Sequence, residues 1–190
     1  MMKKILVITL LFCSLFVSGY RKPETYVINS EKNATEHNNM GLLYMKDYWW
    51  YAAIQEFKIA ISLSPNVQAS SVYYNNLGEC YMKVGAPDLA QDCFERALGL
   101  YTLNFKYYLN LADCYEALKI VDAKIAQTYE NANPLNMIMR GLLLDKKGQY
   151  RDAIVVLDEF AVKEPDLIIT PAVKDYIKTI VAKMYNSESL

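Results

Sequence analysis

Few residues in this chain have the type and spacing to do chemistry. Glu79, Asp113 and Glu116 are carboxylates that could come near one another across two helices, the arrangement that general acid–base work would need. Carboxylates on helix faces are ordinarily solvated, and His37 is the only histidine in the chain. No nucleophile elbow, phosphate-binding loop or metal-ligand pattern is present, so the sequence predicts no enzyme, no cofactor and no metal. Cys80, Cys93 and Cys114 lie in no CxxC or Cys/His cluster, and a zinc site is unsupported. Cys80 and Cys114 each stand just before a tyrosine, Tyr81 and Tyr115, and read as small core residues at a tight helix contact. Cys80 and Cys93 could bridge only if their Cα atoms fell within about 7 Å.

The elements that hold these residues announce themselves by recurrence. Counting forward from Gly41 gives Tyr44, Ala53, Phe57, Ala60 and Pro65; the same steps from Gly78 give Tyr81, Ala90, Phe94, Ala97 and Thr102. From Gly141 they give Leu144, Ala153, Leu157, Phe160 and Pro165. A small residue, a large one a turn later, and then Ala-x-x-x-Phe-x-x-Ala describe two helices at close range, small residues permitting the approach and large ones filling it. A third copy begins at Leu111-Ala112 with Tyr115, but its later positions fall on Lys124, Thr128 and Asn131. Gly141 follows Ala112 by only 29 residues, against 37 from Gly41 to Gly78 and 34 from Gly78 to Ala112, so the second helix of that pair is shortened or reset. Val121, Ile125, Thr128 and Tyr129 still offer it an apolar stripe.

These spaced positions resemble the tetratricopeptide repeat family. The resemblance implies an all-α fold: a right-handed superhelix of stacked helix-turn-helix repeats with a C-terminal capping helix. About four helix pairs are expected within residues 36–190, the third irregular, after a polar lead-in at 20–35. Pairs are expected near 36–46 and 48–63, and near 69–85 and 87–101; the fourth opens at Pro134, turns at Gly148 and closes near Pro165. Gly85 and Gly148 stand where a helix ends in a left-handed turn, and Thr170-Pro171 starts a last helix at 170–186. Its stripe of Val173, Tyr176, Ile177, Ile180, Val181 and Met184 would cover the open end of the stack.

In that family the first helix of each pair lines a concave face that holds an extended peptide or partner segment. By resemblance the groove candidates are Asn38, Leu42 and Met45, then Asn75, Glu79 and Met82. Leu109, Asp113 and Glu116 follow, and then Ile138, Leu142 and Asp145. A well-known branch clamps a C-terminal carboxylate; this chain has Asn76 and Lys106 at two of those places but Asn38, Leu42 and Asn110 at the others, so that clamp is not expected. His37 falls where the family places tryptophan and reads as a packing residue. Trp50, like Tyr150, falls between paired helices as core, and Trp49 reads as cover for the lead-in or as an exposed binding residue.

Lysine and arginine number 20 against 21 acidic residues, which speaks against wholesale nucleic-acid binding. The N-terminus reads as an export signal at residues 1–19: Lys3 and Lys4, an uncharged run from Ile5 to Val17, and Val17-Ser18-Gly19 for cleavage before Tyr20. The run is short for a membrane span; a retained anchor, or lipidation at Cys13, is the alternative. Asn33-Ala34-Thr35 matches a glycosylation acceptor. The expected protein is an exported, periplasmic or extracellular, non-enzymatic scaffold for a protein or peptide of unknown identity, any membrane association arising through a complex. The alternatives are a permanent subunit of an envelope assembly complex and a carrier of a small apolar ligand, the latter motivated by aliphatic residues among the groove candidates.

Overall fold

A computed structural model describes residues 29–130 and 132–188; residues 1–19, read above as an export signal with Cys13 among them, and most of the lead-in lie outside these. The described residues form nine helices and no strand. They are α1 (Ser30–Lys46), α2 (Trp50–Leu63), α3 (Ser70–Lys83), α4 (Pro87–Leu100), α5 (Phe105–Ala117), α6 (Val121–Gln127), α7 (Leu135–Lys146), α8 (Tyr150–Lys163) and α9 (Thr170–Glu188). They pair in order, α1 with α2 through α7 with α8, and α9 closes the array against α8.

The polar lead-in ends sooner than its composition suggests. The Asn29 side chain accepts a hydrogen bond from the Lys32 amide at 3.0 Å and caps α1, so the helix begins at Ser30 and not near residue 36. Only Ala34, Asn38 and Gly41 of α1 are buried, which is why a helix can carry so many polar residues there. Asn33-Ala34-Thr35 is therefore helical with Ala34 sealed, unlike the surface loop a glycosylation acceptor needs.

The four hairpin turns share one geometry. Seven residues after each motif small residue the chain enters the left-handed region: Tyr48 (φ 62), Gly85 (φ 77), Lys119 (φ 61) and Gly148 (φ 73). The next amide reaches back to the residue three after the small one. Trp49 donates to the Tyr44 carbonyl at 2.9 Å, Ala86 to Tyr81 at 2.9 Å, Ile120 to Tyr115 at 3.1 Å and Gln149 to Leu144 at 3.0 Å. Tyr48 and Lys119 hold this conformation without glycine's freedom, at a cost of about 1–2 kcal/mol each.

Within pairs, Gly41 faces Phe57, Gly78 faces Phe94 and Gly141 faces Leu157, all three large side chains fully buried. Burying each such side chain contributes about 1.5–3 kcal/mol. The core is unevenly shared. Its main cluster runs from Ala90 and Phe94 through Ile138, Leu142 and Leu157 to Val173 and Ile180. The first pair is joined to the second by two smaller clusters, around Phe57, Leu77 and Cys80 and around Ala34, Ala60 and Tyr73.

The irregular third pair has a physical account. α6 is 7 residues long with no buried residue, although Val121 and Ile125 lie against the main core. Arg140 on α7 stands where α3 and α5 carry Leu77 and Leu111, and it reaches to the truncated end of α6. Its Nε donates to Thr128 Oγ1 at 3.0 Å, its Nη2 to the Thr128 carbonyl at 3.1 Å, and its guanidinium lies 3.7 Å from the Tyr129 ring centroid. Tyr129 is exposed, so it belongs to this arginine stack and not to an apolar stripe.

Candidate partner-binding groove

The first helices of successive pairs are laced together by polar side chains. Asn76 of α3 donates to Asn38 of α1 at 3.0 Å. Asn110 of α5 donates to Asn75 at 2.8 Å and to Glu79 at 3.0 Å, and Asn75 donates to Glu79 at 2.7 Å. Lys106 pairs with Glu79 at 2.6 Å. Lys146 of α7 pairs with Asp113 and, at 3.0 Å, with Glu116. Burial alone would lower the Lys146 pKa; the hydrogen bonds and charges of Asp113 and Glu116 reverse this and hold it above the ordinary lysine value. The structure thus brings Asp113 and Glu116 together on one ammonium and ties Glu79 to another, an arrangement of neutralised ion pairs. The two residues at carboxylate-clamp places, Asn76 and Lys106, are engaged inside the ladder in the same way.

Between α3 and α5 the ladder opens into a cavity of ≈ 400 Å³, lined by Glu79, Met82, Lys83, Phe94, Asn110 and Asp113. Met82 is half-buried, packed against the main core at the cavity wall; Leu42 is exposed, and Met45 lies partly against the core. Asn38 and Asn75 are buried and act as rungs of the ladder, so they are not open contact residues. Leu109 packs against the main core beside a second depression of ≈ 450 Å³ that it shares with Leu103, Phe105, Ile168 and Ile169.

The last quarter of the expected groove is closed. Ile138 and Leu142 are fully buried and Asp145 nearly so. Asp145 Oδ2 accepts from Tyr176 Oη and from Lys183 Nζ, both at 2.6 Å, and the Tyr176 ring meets Phe105 edge-on with centroids 5.5 Å apart. Helices α5 and α9 therefore meet across α7. Burial, the hydrogen bond to Asp145 and the surrounding carboxylates push the Tyr176 hydroxyl well above its ordinary pKa. Reading α7 alone could not show this, because the cover comes from a helix thirty residues further on. The aliphatic residues Ile138 and Leu142, which suggested a carrier of small apolar ligands, are packing residues.

Two further expectations change. His37 Nδ1 contacts Glu56 Oε2 at 2.6 Å, so it is a polar link between α1 and α2, not a packing residue. Trp49 is largely exposed and stacks on Tyr44 with centroids 5.9 Å apart, while Trp50 is half-buried against the Phe57 cluster. Cys80, Cys93 and Cys114 are buried free thiols, and Cys114 Sγ donates to the Pro87 carbonyl at 3.2 Å. Among the described residues no cluster is placed to hold a metal ion, and no helix is long and apolar enough to cross a membrane.

The tetratricopeptide repeat family matches residues 72–102, which span α3, its turn and α4. Among solved structures, a MamA protein is similar over 81% of this chain and 89% of its own, with 19% identity and a TM-score of 0.50. The Arabidopsis OM64 TPR domain is similar over 80% and 98%, with 15% identity and a TM-score of 0.46. YrrB, described as a TPR protein with an unusual peptide-binding site, is similar over 75% and 74%, with 18% identity and a TM-score of 0.46. No curated protein matches the chain. The described residues are thus all-helical, with one helix pair that matches the tetratricopeptide repeat model and others that keep its spacing.

Proposed function

We propose that this chain is a non-enzymatic scaffold that holds a segment of a protein partner in the groove formed by α1, α3 and α5, and that it works in the cell envelope. The observation that carries the reading is the open cavity between α3 and α5. There an adaptable methionine, Met82, lies over the buried Phe94 ring and adjoins the polar groups of Glu79, Asn110 and Asp113. Apolar contact supplies affinity, and the amide and carboxylates supply direction for a peptide backbone or a basic side chain. Closure of α7 under α9 confines the site to the first three pairs. The cell-envelope part rests on Lys3, Lys4, the apolar run and Val17-Ser18-Gly19.

A photo-crosslinking residue placed in turn at 42, 82 and 113 should capture the partner, whereas the same probe at 155 and 162, on the outer face of α8, should not. Equal capture from both faces would defeat the groove reading. Intact mass of the protein from its host should show a chain beginning at Tyr20; a full-length mass in the membrane fraction would mean a retained anchor.

A further inference from the structure

Three charged side chains line the cavity between α3 and α5, and two of them are already neutralised. Glu79 holds Lys106 at 2.6 Å, and Asp113 holds Lys146. Lys83 is exposed where it lines the cavity and has no ion pair or hydrogen bond among the described residues. The repeat explains why. Lys83 stands five residues after Gly78, and Lys146 five after Gly141. Lys146 reaches back to the preceding first helix and finds Asp113 and Glu116, one and four residues after Ala112. The same places on α1 hold Leu42 and Met45, so Lys83 has apolar residues where Lys146 has two carboxylates.

We propose that Lys83 receives an acidic side chain of the partner segment, so that the groove selects an internal Asp or Glu flanked by apolar residues. This rests on the groove reading and adds the charge of what the groove holds. Charge complementarity carries it. A basic side chain would meet carboxylates already engaged by Lys106 and Lys146 and would be repelled by Lys83, whereas a carboxylate meets an ammonium without a counter-ion. The apolar flanks follow from the neighbours, Leu42 and Met45 on α1 and Met82 on α3, because residues two apart in an extended segment share a face. Asn110 uses its amide nitrogen on Asn75 and Glu79, and its carbonyl oxygen is left to accept a backbone N–H of the same segment. A chain-terminal carboxylate fits less well: it needs several donors at once, and Asn76 and Lys106 are engaged in the ladder.

Fluorescence anisotropy of the full chain with labelled peptide pools tests this, with far-UV circular dichroism to confirm folding of each variant. The pools are acetylated, amidated nonapeptides with Glu, Gln or Lys at the centre, Leu two residues to either side and all other places degenerate. The Glu pool should bind about three- to tenfold more tightly than the Gln pool, and the difference should shrink at high salt. Lys83→Gln should erase that difference and Lys83→Glu should turn the preference to the Lys pool, while Lys174→Glu on α9 should change nothing. Leu42→Ser with Met82→Ser should weaken every pool alike. A Glu preference that survives Lys83→Gln would overturn the assignment, as would equal binding of the Glu and Gln pools that the serine pair weakens; the groove reading would stand in both cases. A Gln pool with a free C-terminus that matches the Glu pool would overturn it in favour of a chain end. Binding of no pool, or binding that the serine pair leaves intact, would defeat the groove reading and this proposal with it.

Discussion

The Phe94 ring occupies the space that a side chain on Gly78 would need: a Cβ there would meet Phe94 Cε1 at 2.5 Å. Phe94 is buried and cannot withdraw. Alanine at 78 should therefore cost about 1–3 kcal/mol by overpacking, only partly offset by the ~1 kcal/mol that alanine gains over glycine in a helix. Gly99, on the exposed face of α4, has nothing within 4 Å of such a Cβ. Gly99→Ala should raise stability by about 1 kcal/mol. Urea midpoints of the two variants, moving in opposite directions, check the phasing of the repeat.

Lys119 sits at φ 61 in the third turn, with an exposed side chain. Replacing it with glycine should relieve the left-handed strain and stabilise by about 1 kcal/mol after glycine's entropic cost. The matching change at Gly148, to alanine, should destabilise by a similar amount. Thermal midpoints measure both.

Ala90 is fully buried, and Ala123 on α6 is exposed. Ala90→Leu should cost about 1–3 kcal/mol, and Ala123→Leu should change stability by less than about 0.5 kcal/mol. Equal losses would mean that α6 packs more closely than its short length allows.

Several buried groups make stability fall at high pH. Burial pushes the Cys80 and Cys93 thiols up to about 12 and Cys114 to about 11, from an ordinary 9.0. Tyr108 rises to about 12 by burial, and Tyr176 and Lys146 are also raised. A group held above its usual value contributes its stability in full below that value and loses it as the pH climbs toward the folded value. Denaturation midpoints should therefore hold as pH rises from neutral to about 9 and decline steadily above it, thiols first and then tyrosines and lysine. Alkylation of the three thiols at neutral pH should proceed only as fast as the protein opens.

Arg140→Lys should lose most of what Arg140→Ala loses, about 1–3 kcal/mol, because an ammonium cannot both donate to Thr128 at two atoms and lie flat on Tyr129. A lysine variant as stable as the wild type would show that the end of α6 is held by other contacts.

The helix pairs were legible because glycine, alanine and phenylalanine at fixed steps record a contact within one hairpin. Gly85 and Gly148 marked their turns for the same local reason. Tyr48 and Lys119 gave no such mark, since the hairpin imposes the left-handed conformation on whatever residue stands there. The start of α1 was hidden because a helix anchored by only Ala34, Asn38 and Gly41 has too few apolar residues to show a period. The groove was half legible. Leu42, Met82 and Asp113 are accessible where expected, but Ile138 and Leu142 are covered by α9, and the buried rungs at Asn38 and Asn75 depend on partners more than thirty residues away. Local spacing carries contacts within a pair; it does not carry which later helix folds across which earlier one.

The uneven core has a dynamic consequence. The cluster from Ala90 to Ile180 ties the last six helices, α4 to α9, into one unit, whereas α1 and α2 are attached through much smaller clusters. In an array where each pair leans on its neighbours, opening starts at the least-held end. Amide hydrogens of α1 and α2 should exchange first and those of α7 and α8 last, so the softest part of the molecule is the first pair, beside the cavity between α3 and α5. Whatever settles on α1 acts as a brake on unravelling and would slow exchange through the first pair without touching the rigid remainder.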